Sequence, residues 1–387
     1  MTVVLALIIG FGAYRYTRPL PMLYPFQTIK TNRSSYTKLA WPDSGQSAVG
    51  ALGYGVLDSS GPQSALPTAS TAKLITALTV LKKYPLQPGQ SGPIITLSAS
   101  DVVIYNKYVA EQGSVARVAA GEQISEYQML QGMMLPSANN LADSLAIWAF
   151  GSLPAYKVAA TTEVQSLGLK NTFIGSDASG FLPDTRSSAS DLVKIGEFVL
   201  NNPVLASIAN QSTATLPVAG VVRNVNWLLG EDGIIGLKTG NSNQAGGVYI
   251  FAAKYSVAPQ HLVTIIGAVQ NLPTLQTAMD SAIPLLISAQ KNFKLTETVK
   301  KDETVGFYDV PWANSVNIVA QHAITAVSWS GQTSKPKLSL HTISAPLAAR
   351  TIVGKASNLS KTGSTELVLN QPISSPPWWW RIIRHNV

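Results

Sequence analysis

The chain has 387 residues, enough for two domains and a sizeable core. Charged residues make up only 12% of it, yet the formal net charge is +8, so we expect a basic surface rich in neutral polar residues. This balance suits an extracytoplasmic protein with an anionic partner such as lipid headgroups or a cell-wall polymer, and no block of like charges indicates nucleic-acid binding. Absence of cysteine excludes a thiol nucleophile, a disulfide and a thiolate metal site, and the four scattered histidines argue against a zinc site and a Ser-His-Asp triad. We predict neither a metal nor a cofactor.

The N-terminal residues 1–14 are apolar and predict a signal or membrane anchor. As a helix, the run from Val3 to Ala13 covers only part of a ~30 Å hydrocarbon core. Arg15 and Arg18 follow the run, a charge order that opposes export. No small-x-small cleavage site is obvious, so we favour an uncleaved anchor over a cleaved signal. A buried core helix is the alternative. Residues 15–45 are polar and interrupted by prolines, which predicts a linker.

Residues 46–295 alternate between strand and helix patterns and predict one catalytic domain. An apolar helical face begins at Ser70 and is stopped by Pro85, and the stretch from Ser98 to Leu192 is mostly helical, with a helix start at Ser190-Asp191. The other predicted elements are a strand over Ala48 to Asp58, two antiparallel strands over Val248 to Ala253 and Leu262 to Ile266, and a closing helix over Ala278 to Ser288, kinked at Pro284.

Residues 296–372 predict a small all-β domain, because short runs of strand-forming residues alternate with turn residues. The predicted strands are Val316 to Val319, Ile324 to Trp329, Leu338 to Ile343 and Glu366 to Leu369. The tail, residues 373–387, combines three adjacent tryptophans with arginines. This composition is typical of the headgroup region and predicts an interfacial membrane anchor; a disordered tail is the alternative.

The first chemical motif is Ser70-Thr71-Ala72-Lys73, a serine and a lysine separated by one helical turn. Residues at i and i+3 lie on the same helix face, so Lys73 can reach the hydroxyl of Ser70. Serine is a weak nucleophile without a base, and a lysine can act as that base where a dry, cation-rich site lowers its pKa. The same four-residue pattern occurs elsewhere in the chain, but only this copy opens a long apolar helix.

Two further motifs supply the partners that such a nucleophile needs. Ser137-Ala138-Asn139 lies in a loop between helical patterns; its hydroxyl can relay a proton, and its amide can bind a peptide group through donor and acceptor. Lys238-Thr239-Gly240 precedes the Val248 strand. Its lysine and threonine can bind a carboxylate, and its glycine lets the backbone approach a ligand. Each motif alone has little specificity, but the three in this order predict an acyl-transfer site.

Together the motifs resemble the active-site set of the penicillin-binding proteins and serine β-lactamases. The sequences around them, with the stretches 168–172 and 180–184, are similar to the low-molecular-mass penicillin-binding proteins, the serine-type D-alanyl-D-alanine carboxypeptidases. The resemblance covers about Ala48 to Leu295 and continues into the β domain. It implies an α/β fold of the transpeptidase type: an antiparallel sheet flanked by helices, a helical subdomain and then the small all-β domain.

The resemblance also implies a substrate and roles. Peptidoglycan stem peptides ending in D-Ala-D-Ala would acylate Ser70, with Lys73 as general base, and β-lactams would inhibit covalently. Ser137 would relay protons and Asn139 would orient the substrate. The residues implied in binding the terminal carboxylate are Lys238, Thr239 and Gly240.

Two further substrate-binding assignments follow from the same resemblance. The backbone N–H groups of Ser70 and Asn241 would form the oxyanion hole, and Arg223 matches a family arginine near the substrate. The chain also departs from the family pattern. Asn140 stands where the family has aspartate, which predicts the loss of a salt bridge, and Gly267 to Asn271 lacks an arginine that often follows that strand.

Three alternatives remain open at this point. A β-lactamase of the nearest class would carry Glu-x-x-Leu-Asn, but the best candidate, Glu163 to Leu167, lacks the asparagine. A D,D-endopeptidase would use the same residues. A non-catalytic wall-binding protein could share the fold, although intact motifs argue against it. The expected location is extracytoplasmic and membrane-associated, in a bacterial cell envelope.

Overall fold

The structure is a computed structural model that describes residues 2–29, 35–331, 335–358 and 363–384. Residue 1 of the predicted anchor, residues 30–34 of the predicted linker and residues 385–387 of the predicted tail lie outside the described residues. The chain divides into two compact units. Residues 37–292 form the α/β unit, and residues 1–36 with 293–387 form the β unit.

All described α-helices except the first and the last belong to the α/β unit. In chain order the described helices are α1 (Thr2–Thr17), α2 (Lys73–Lys83), α3 (Ala99–Ala110), α4 (Glu126–Met134), α5 (Asn139–Phe150), α6 (Leu153–Ser166), α7 (Ala189–Asn201), α8 (Pro203–Ala209), α9 (Leu275–Gln290) and α10 (Trp378–Ile383). Two 3₁₀ turns occupy Ala69–Ala72 and Glu231–Gly233.

Of the described strands, the first and the last seven belong to the β unit, and those between them belong to the α/β unit. They are β1 (Pro25–Gln27), β2 (Gln46–Ala51), β3 (Gly55–Ser60), β4 (Leu66–Pro67), β5 (Ile94–Thr96), β6 (Gln123–Ser125), β7 (Arg186–Ser187), β8 (Thr213–Leu216), β9 (Gly220–Arg223), β10 (Ile234–Ser242), β11 (Gly246–Ala258), β12 (His261–Leu272), β13 (Phe293–Val299), β14 (Thr304–Tyr308), β15 (Val316–Ala320), β16 (Ile324–Trp329), β17 (Lys337–Leu340), β18 (Ile352–Ser357) and β19 (Ser364–Leu369).

The α/β unit is built on a five-stranded antiparallel sheet in the order β10-β11-β12-β2-β3. Both faces of β11 are buried, because Ile250 belongs to the main core while its neighbours Tyr249 and Phe251 are equally inaccessible. Helices α7 and α9 pack against these central strands. Gly196 lets α7 come close, since a β-carbon there would press on Ile266.

A helical subdomain completes the α/β unit around α5. This helix contacts α2, α3, α4 and α6, and its residues Leu141, Ala142, Leu145 and Ala146 are completely buried. It begins at Asn139, the last residue of the second motif, so the loop that carries the motif is fixed at a helix start. The subdomain therefore holds the Ser70 and Ser137 motifs on neighbouring helices.

The β unit contains a six-stranded antiparallel sheet in the order β1-β14-β15-β19-β18-β17 and the separate pair β13-β16. Its core includes Tyr308, Ile318, Val353 and Leu367, which are completely buried. Part of the predicted linker belongs here rather than to a connecting segment. Pro25–Gln27 pairs with β14, and Leu23 is buried, because pairing to an existing sheet supplies the order that the sequence pattern does not.

Other predicted elements differ from the structure in detail. The single strand expected over Ala48 to Asp58 is a hairpin, since the chain turns at Gly53, whose φ is +82°. The helix start expected at Ser190 lies two residues earlier, where Ser188 caps α7. The two strands at Val248 and Leu262 are antiparallel neighbours as predicted and extend further at both ends.

None of the described helices is both long and apolar enough to cross a bilayer by itself, although the bent pair α7 and α8 passes the same test of length and composition. Within the β unit, α1 contacts α10. Three arginine side chains donate hydrogen bonds across this contact: Arg15 to the carbonyl of Ile382, Arg381 to that of Tyr16, and Arg384 to that of Arg18.

Candidate active site

Ser70 lies in the 3₁₀ turn that leads into α2, in a tightly held backbone. The preceding residue, Ala69, has a φ of +45°, a conformation that costs a non-glycine residue ~1–3 kcal/mol. Two glycines make room for this turn. A β-carbon at Gly180 would collide with the carbonyl oxygen of Ala69, and one at Gly240 would lie 3.1 Å from the backbone nitrogen of Ser70. The turn that carries Ser70 is thus held between two backbone segments, which can approach it closely because each has a glycine at the contact.

Lys73 is completely buried and points at Ser70. Its Nζ lies 2.8 Å from Ser70 Oγ, 2.7 Å from Asn139 Oδ1 and 3.0 Å from the carbonyl oxygen of Ser179. Burial lowers the pKa of Lys73 to about 7, and the nearby carboxylates oppose this shift. A large fraction of Lys73 is therefore neutral at physiological pH, and a neutral amine can take the proton of the serine.

Ser137 joins the second motif to the third. Its backbone has a φ of +63°, and its Oγ accepts a hydrogen bond of 3.0 Å from Lys238 Nζ. Asn139, two residues later, has its backbone N–H fixed by the carbonyl oxygen of Ser114 at 2.7 Å. The loop between α4 and α5 therefore presents one hydroxyl and one amide toward the two lysines.

Lys238 is the second buried cation of the site. It lies in β10, and its Nζ also donates to the carbonyl oxygen of Thr239 at 3.1 Å. Burial, and then the positive charge of Lys73, hold the pKa of Lys238 well below its usual value. Because two buried ammonium groups repel each other, the site favours an anion beside them, such as a substrate carboxylate.

The structure brings together most of the predicted site residues but not all. Hydrogen bonds connect Lys73 to Ser70 and Asn139, and Lys238 to Ser137, while Gly240 lies beside Ser70. Thr239 is buried between Lys238 and Gly240 in β10, and Asn241 follows with an exposed side chain. Arg223 is exposed at the end of β9, and among the described residues no hydrogen bond joins it to this cluster.

Sequence reasoning missed a set of acidic and hydroxyl groups next to Lys73. They are Tyr108, Asp143, Asp177 and Ser179, all buried. One signal was available: Asp143 lies in the middle of a mostly apolar helix, where a carboxylate needs buried partners.

The two departures from the family pattern have structural explanations. The side chain of Asn140 accepts from the backbone N–H of Ala116 at 3.0 Å and donates to its carbonyl at 2.9 Å, so an amide–backbone pair takes the place of the salt bridge that the family pattern implies. Gln270, in the stretch that lacks arginine, donates to the carbonyls of Leu66 and Pro67, both at 3.1 Å. It therefore ties β12 to the segment that precedes Ser70.

Comparison with known proteins shows which family the chain resembles. The family model of peptidase S11, D-alanyl-D-alanine carboxypeptidase, matches residues 52–269, more than half of the chain. A D-alanyl-D-alanine carboxypeptidase of Streptomyces sp. strain K15 is 30% identical over 202 residues, which are 48% of this chain and 67% of that protein. A D-alanyl-D-alanine endopeptidase of Pseudomonas aeruginosa is 29% identical over 218 residues, 54% of this chain and 66% of that one.

Solved structures confirm the predicted fold. Penicillin-binding protein 5 of Haemophilus influenzae superposes with a TM-score of 0.61 at 22% identity, covering 87% of this chain and 98% of its own. The DD-transpeptidase of Streptomyces K15 gives 0.57 at 22% identity, covering 66% and 98%. The mixed α/β fold of the transpeptidase type, followed by an antiparallel β domain, is therefore correct. The chain belongs to the peptidase S11 family of D-alanyl-D-alanine carboxypeptidases, among the low-molecular-mass penicillin-binding proteins that its motifs resemble.

Proposed function

We propose that this protein is a serine D-alanyl-D-alanine carboxypeptidase that removes the terminal D-Ala of peptidoglycan stem peptides. The observation that carries the proposal is the 2.8 Å contact between Lys73 Nζ and Ser70 Oγ, combined with the lowered pKa of that lysine. Members of this family act on peptidoglycan peptides in the cell envelope and bind penicillin, which supports the choice of substrate.

The proposed acylation begins when Ser70 Oγ attacks the carbonyl between the two D-alanines and its proton passes to Lys73 Nζ. The oxyanion that forms is stabilised by the backbone N–H of Ser70 at the start of a helical turn, with Asn241 N–H as the second donor. The C–N bond then breaks, and Ser137 relays the proton to the leaving amine. Water hydrolyses the resulting ester, with Lys73 again taking the proton.

Substrate binding is assigned to the second and third motifs. The terminal carboxylate lies against Lys238 and Thr239, where its negative charge favours the protonated form of the buried lysine. The Asn139 side chain binds the peptide group beside the scissile bond, and Arg223 is a more distant contributor. This assignment accounts for a buried cation whose hydrogen bonds among the described residues are to the Ser137 hydroxyl and the Thr239 carbonyl, with no carboxylate partner.

The position of Glu163 bears on the β-lactamase alternative but not on the D,D-endopeptidase alternative. A β-lactamase needs a carboxylate near the ester to activate the deacylating water. Here Glu163 is engaged by Lys82, nine residues and about 13 Å along α2 from Lys73. This placement favours a carboxypeptidase. A D,D-endopeptidase uses the same catalytic groups, so substrate tests have to separate the two.

We further propose that the β unit attaches to an anionic membrane surface. Val3, Leu5, Leu7 and Ile8 on α1 and Trp378 on α10 are all strongly exposed. No acidic residue precedes Asp43 or follows Glu366 in the sequence, so the arginines around the α1–α10 contact lie in two stretches of the chain that carry only positive charges. Flotation with phosphatidylglycerol vesicles is expected, weakened by Trp378→Ala and by high salt. Equal flotation with neutral vesicles would contradict the electrostatic part.

The activity is tested with a fluorescent penicillin on the wild type and Ser70→Ala, resolved on a denaturing gel. We expect a labelled band that the variant loses. No band with the drug hydrolysed indicates a β-lactamase, and no band with the drug intact indicates a binding protein. Release of D-Ala from a peptide ending in D-Ala-D-Ala, compared with cleavage of a cross-linked dimer, then separates carboxypeptidase from endopeptidase.

A further inference from the structure

A buried polar cluster adjoins Lys73 and is used by no step of the proposed reaction. It consists of Tyr108 from α3, Asp143 from α5, and Asp177 and Ser179 from the loop before α7, and each is at most 3% exposed. Burying two carboxylates is unfavourable unless hydrogen bonds or charges compensate, so this cluster requires an explanation. We call it the carboxylate cluster.

Hydrogen bonds join the carboxylate cluster into one network. Tyr108 donates its hydroxyl to Asp143 Oδ2 at 2.6 Å. Asp143 Oδ1 accepts from the backbone N–H of Ala178 at 2.9 Å. Asp177 accepts from the backbone N–H groups of Gly180 and Leu182 and from the hydroxyl of Ser179. The two carboxylates thus fix three backbone amides within five residues of one loop.

The held loop carries one of the three hydrogen-bond partners of Lys73. The carbonyl oxygen of Ser179 lies between the fixed amides of Ala178 and Gly180 and accepts from Lys73 Nζ at 3.0 Å. The same loop supports the nucleophile, since Gly180 lies against the carbonyl of Ala69. Asp177 therefore reaches Lys73 through a single peptide unit, that of Ser179 and Gly180, and Asp143 holds the same loop one residue earlier, at the N–H of Ala178.

The charges in the cluster act on Lys73 as well. Asp177 and then Asp143 raise the pKa of Lys73 against the effect of burial, and Lys238 is the neighbouring cation. Asp143 itself faces Tyr108, Asp177 and Lys107. Burial raises the pKa of Asp143 to about 6, and the hydrogen bond from Tyr108 holds it down. Asp143 is thus mostly ionised at neutral pH.

We propose that Asp143 and Tyr108 are positioning residues for the acylation, holding the Ser179 carbonyl against Lys73 and keeping a negative charge beside it while it takes the serine proton. The inference rests on the proposed function, because it assigns a reason to the basicity of Lys73. Without that charge, burial would leave the amine too weak a base, since proton transfer slows as the base weakens.

The decisive variant is Asp143→Asn, which keeps an acceptor for Ala178 N–H and removes the charge. Lys73 then loses its proton at lower pH, so the acid limb of the acylation rate moves to lower pH by about half a unit or more. The rate on the plateau falls by up to about threefold for each half-unit decrease in the pKa of Lys73, because the base is weaker. Second-order labelling by fluorescent penicillin between pH 5 and 9 measures both effects.

Tyr108→Phe has a different expected signature. Loss of its hydroxyl raises the pKa of Asp143, so below about pH 7 the labelling profile departs from wild type toward that of Asp143→Asn, and it returns to wild type at pH 9, where Asp143 is ionised. The matched control is Tyr156→Phe. Tyr156 is an equally buried phenol next to α2, but its hydroxyl bonds to Thr76 rather than to a carboxylate. We expect this control to keep the wild-type pH profile.

A direct titration separates this inference from the proposed function. NMR of lysines labelled at the ε-carbon gives the pKa of Lys73, assigned with Lys73→Met, whether or not the protein is acylated. A lower titration midpoint in Asp143→Asn supports the inference; an unchanged midpoint overturns it. A shift in Tyr156→Phe as large as in Tyr108→Phe would also overturn it. Absence of Ser70 labelling in the wild type would contradict the proposed function alone.

Discussion

Gly240 lies against the backbone nitrogen of Ser70, close enough that a β-carbon would approach it to 3.1 Å and the carbonyl oxygen of Thr68 to 3.0 Å. The third motif therefore contributes its lysine and also a glycine, whose lack of a side chain leaves room for the Ser70 turn. β10 forms one wall of the nucleophile turn, and the N–H of Ser70 remains accessible only because that wall has no side chain at this point.

Gly240→Ala is expected to impair acylation more than stability. The added methyl displaces the Ser70 turn by a few tenths of an ångström and misdirects the N–H that faces the oxyanion. Loss of one such donor costs ~10²–10³ in rate, so we expect a reduction of ~10-fold or more for a displaced one. Penicillin labelling rates measure this, with thermal melts recorded in parallel. Unchanged labelling would mean that the sheet edge relaxes to accommodate the methyl.

Lys73→Met is expected to slow acylation by ~10²–10⁴, the usual contribution of a general base. In the wild type, the labelling rate should rise as pH increases through about 7, because Lys73 then loses its proton. Lys82→Met is the matched control on the same helix: Lys82 is exposed, and its ion pair with Glu163 lies nine residues along the chain from Lys73. Equal loss of labelling in both variants would contradict the role of Lys73.

Asn140→Asp, which introduces the residue typical of the family, is expected to destabilise this protein. The change removes the donor to the Ala116 carbonyl and buries a charge against that oxygen, at a cost of ~1–3 kcal/mol or more in the free energy of unfolding. The new carboxyl has a raised pKa in the folded state. Its penalty is therefore present above the unfolded value of ~3.9 and disappears as acidification protonates it.

Urea unfolding at pH 4 and pH 8 tests this expectation. Asn292→Asp should behave alike, because Asn292 makes the same reciprocal pair with the backbone of Thr37. Asn201→Asp, at an exposed position near the end of α7, is the control and should change stability little. Stabilisation by Asn140→Asp at neutral pH would reveal a cationic partner for that position.

Glu126→Gln is expected to stabilise the fold at alkaline pH. Glu126 is fully buried, neither of its carboxylate oxygens has a hydrogen-bond partner among the described residues, and burial raises its pKa to about 7. A raised folded-state pKa means that the wild type loses stability as pH rises from ~4.3 to about 7. The variant should therefore gain more in melting temperature at pH 8 than at pH 5. The exposed Glu111→Gln is the control, and an equal gain at both pH values would refute the explanation.

Much of the chemistry could be predicted from local sequence. The spacing of Ser70 and Lys73 fixed their contact, because residues three apart on a helical turn are neighbours whatever the rest of the chain does. The antiparallel strands on either side of Gln260 were equally predictable, since a short loop allows little else.

The tertiary structure decided the rest. Lys238 reaches Ser137 across 101 residues, and Gly180 reaches Ala69 across more than a hundred. Composition alone predicted a linker at Pro25–Gln27. The segment forms a strand because β14 supplies its hydrogen-bonding partner. The carboxylate cluster follows the same principle: the sequence indicates that Asp143 needs buried partners but not which ones, and only close packing around Lys73 removes water and couples the two acids to its pKa. Local order follows from neighbouring residues, whereas basicity depends on what the fold buries beside them.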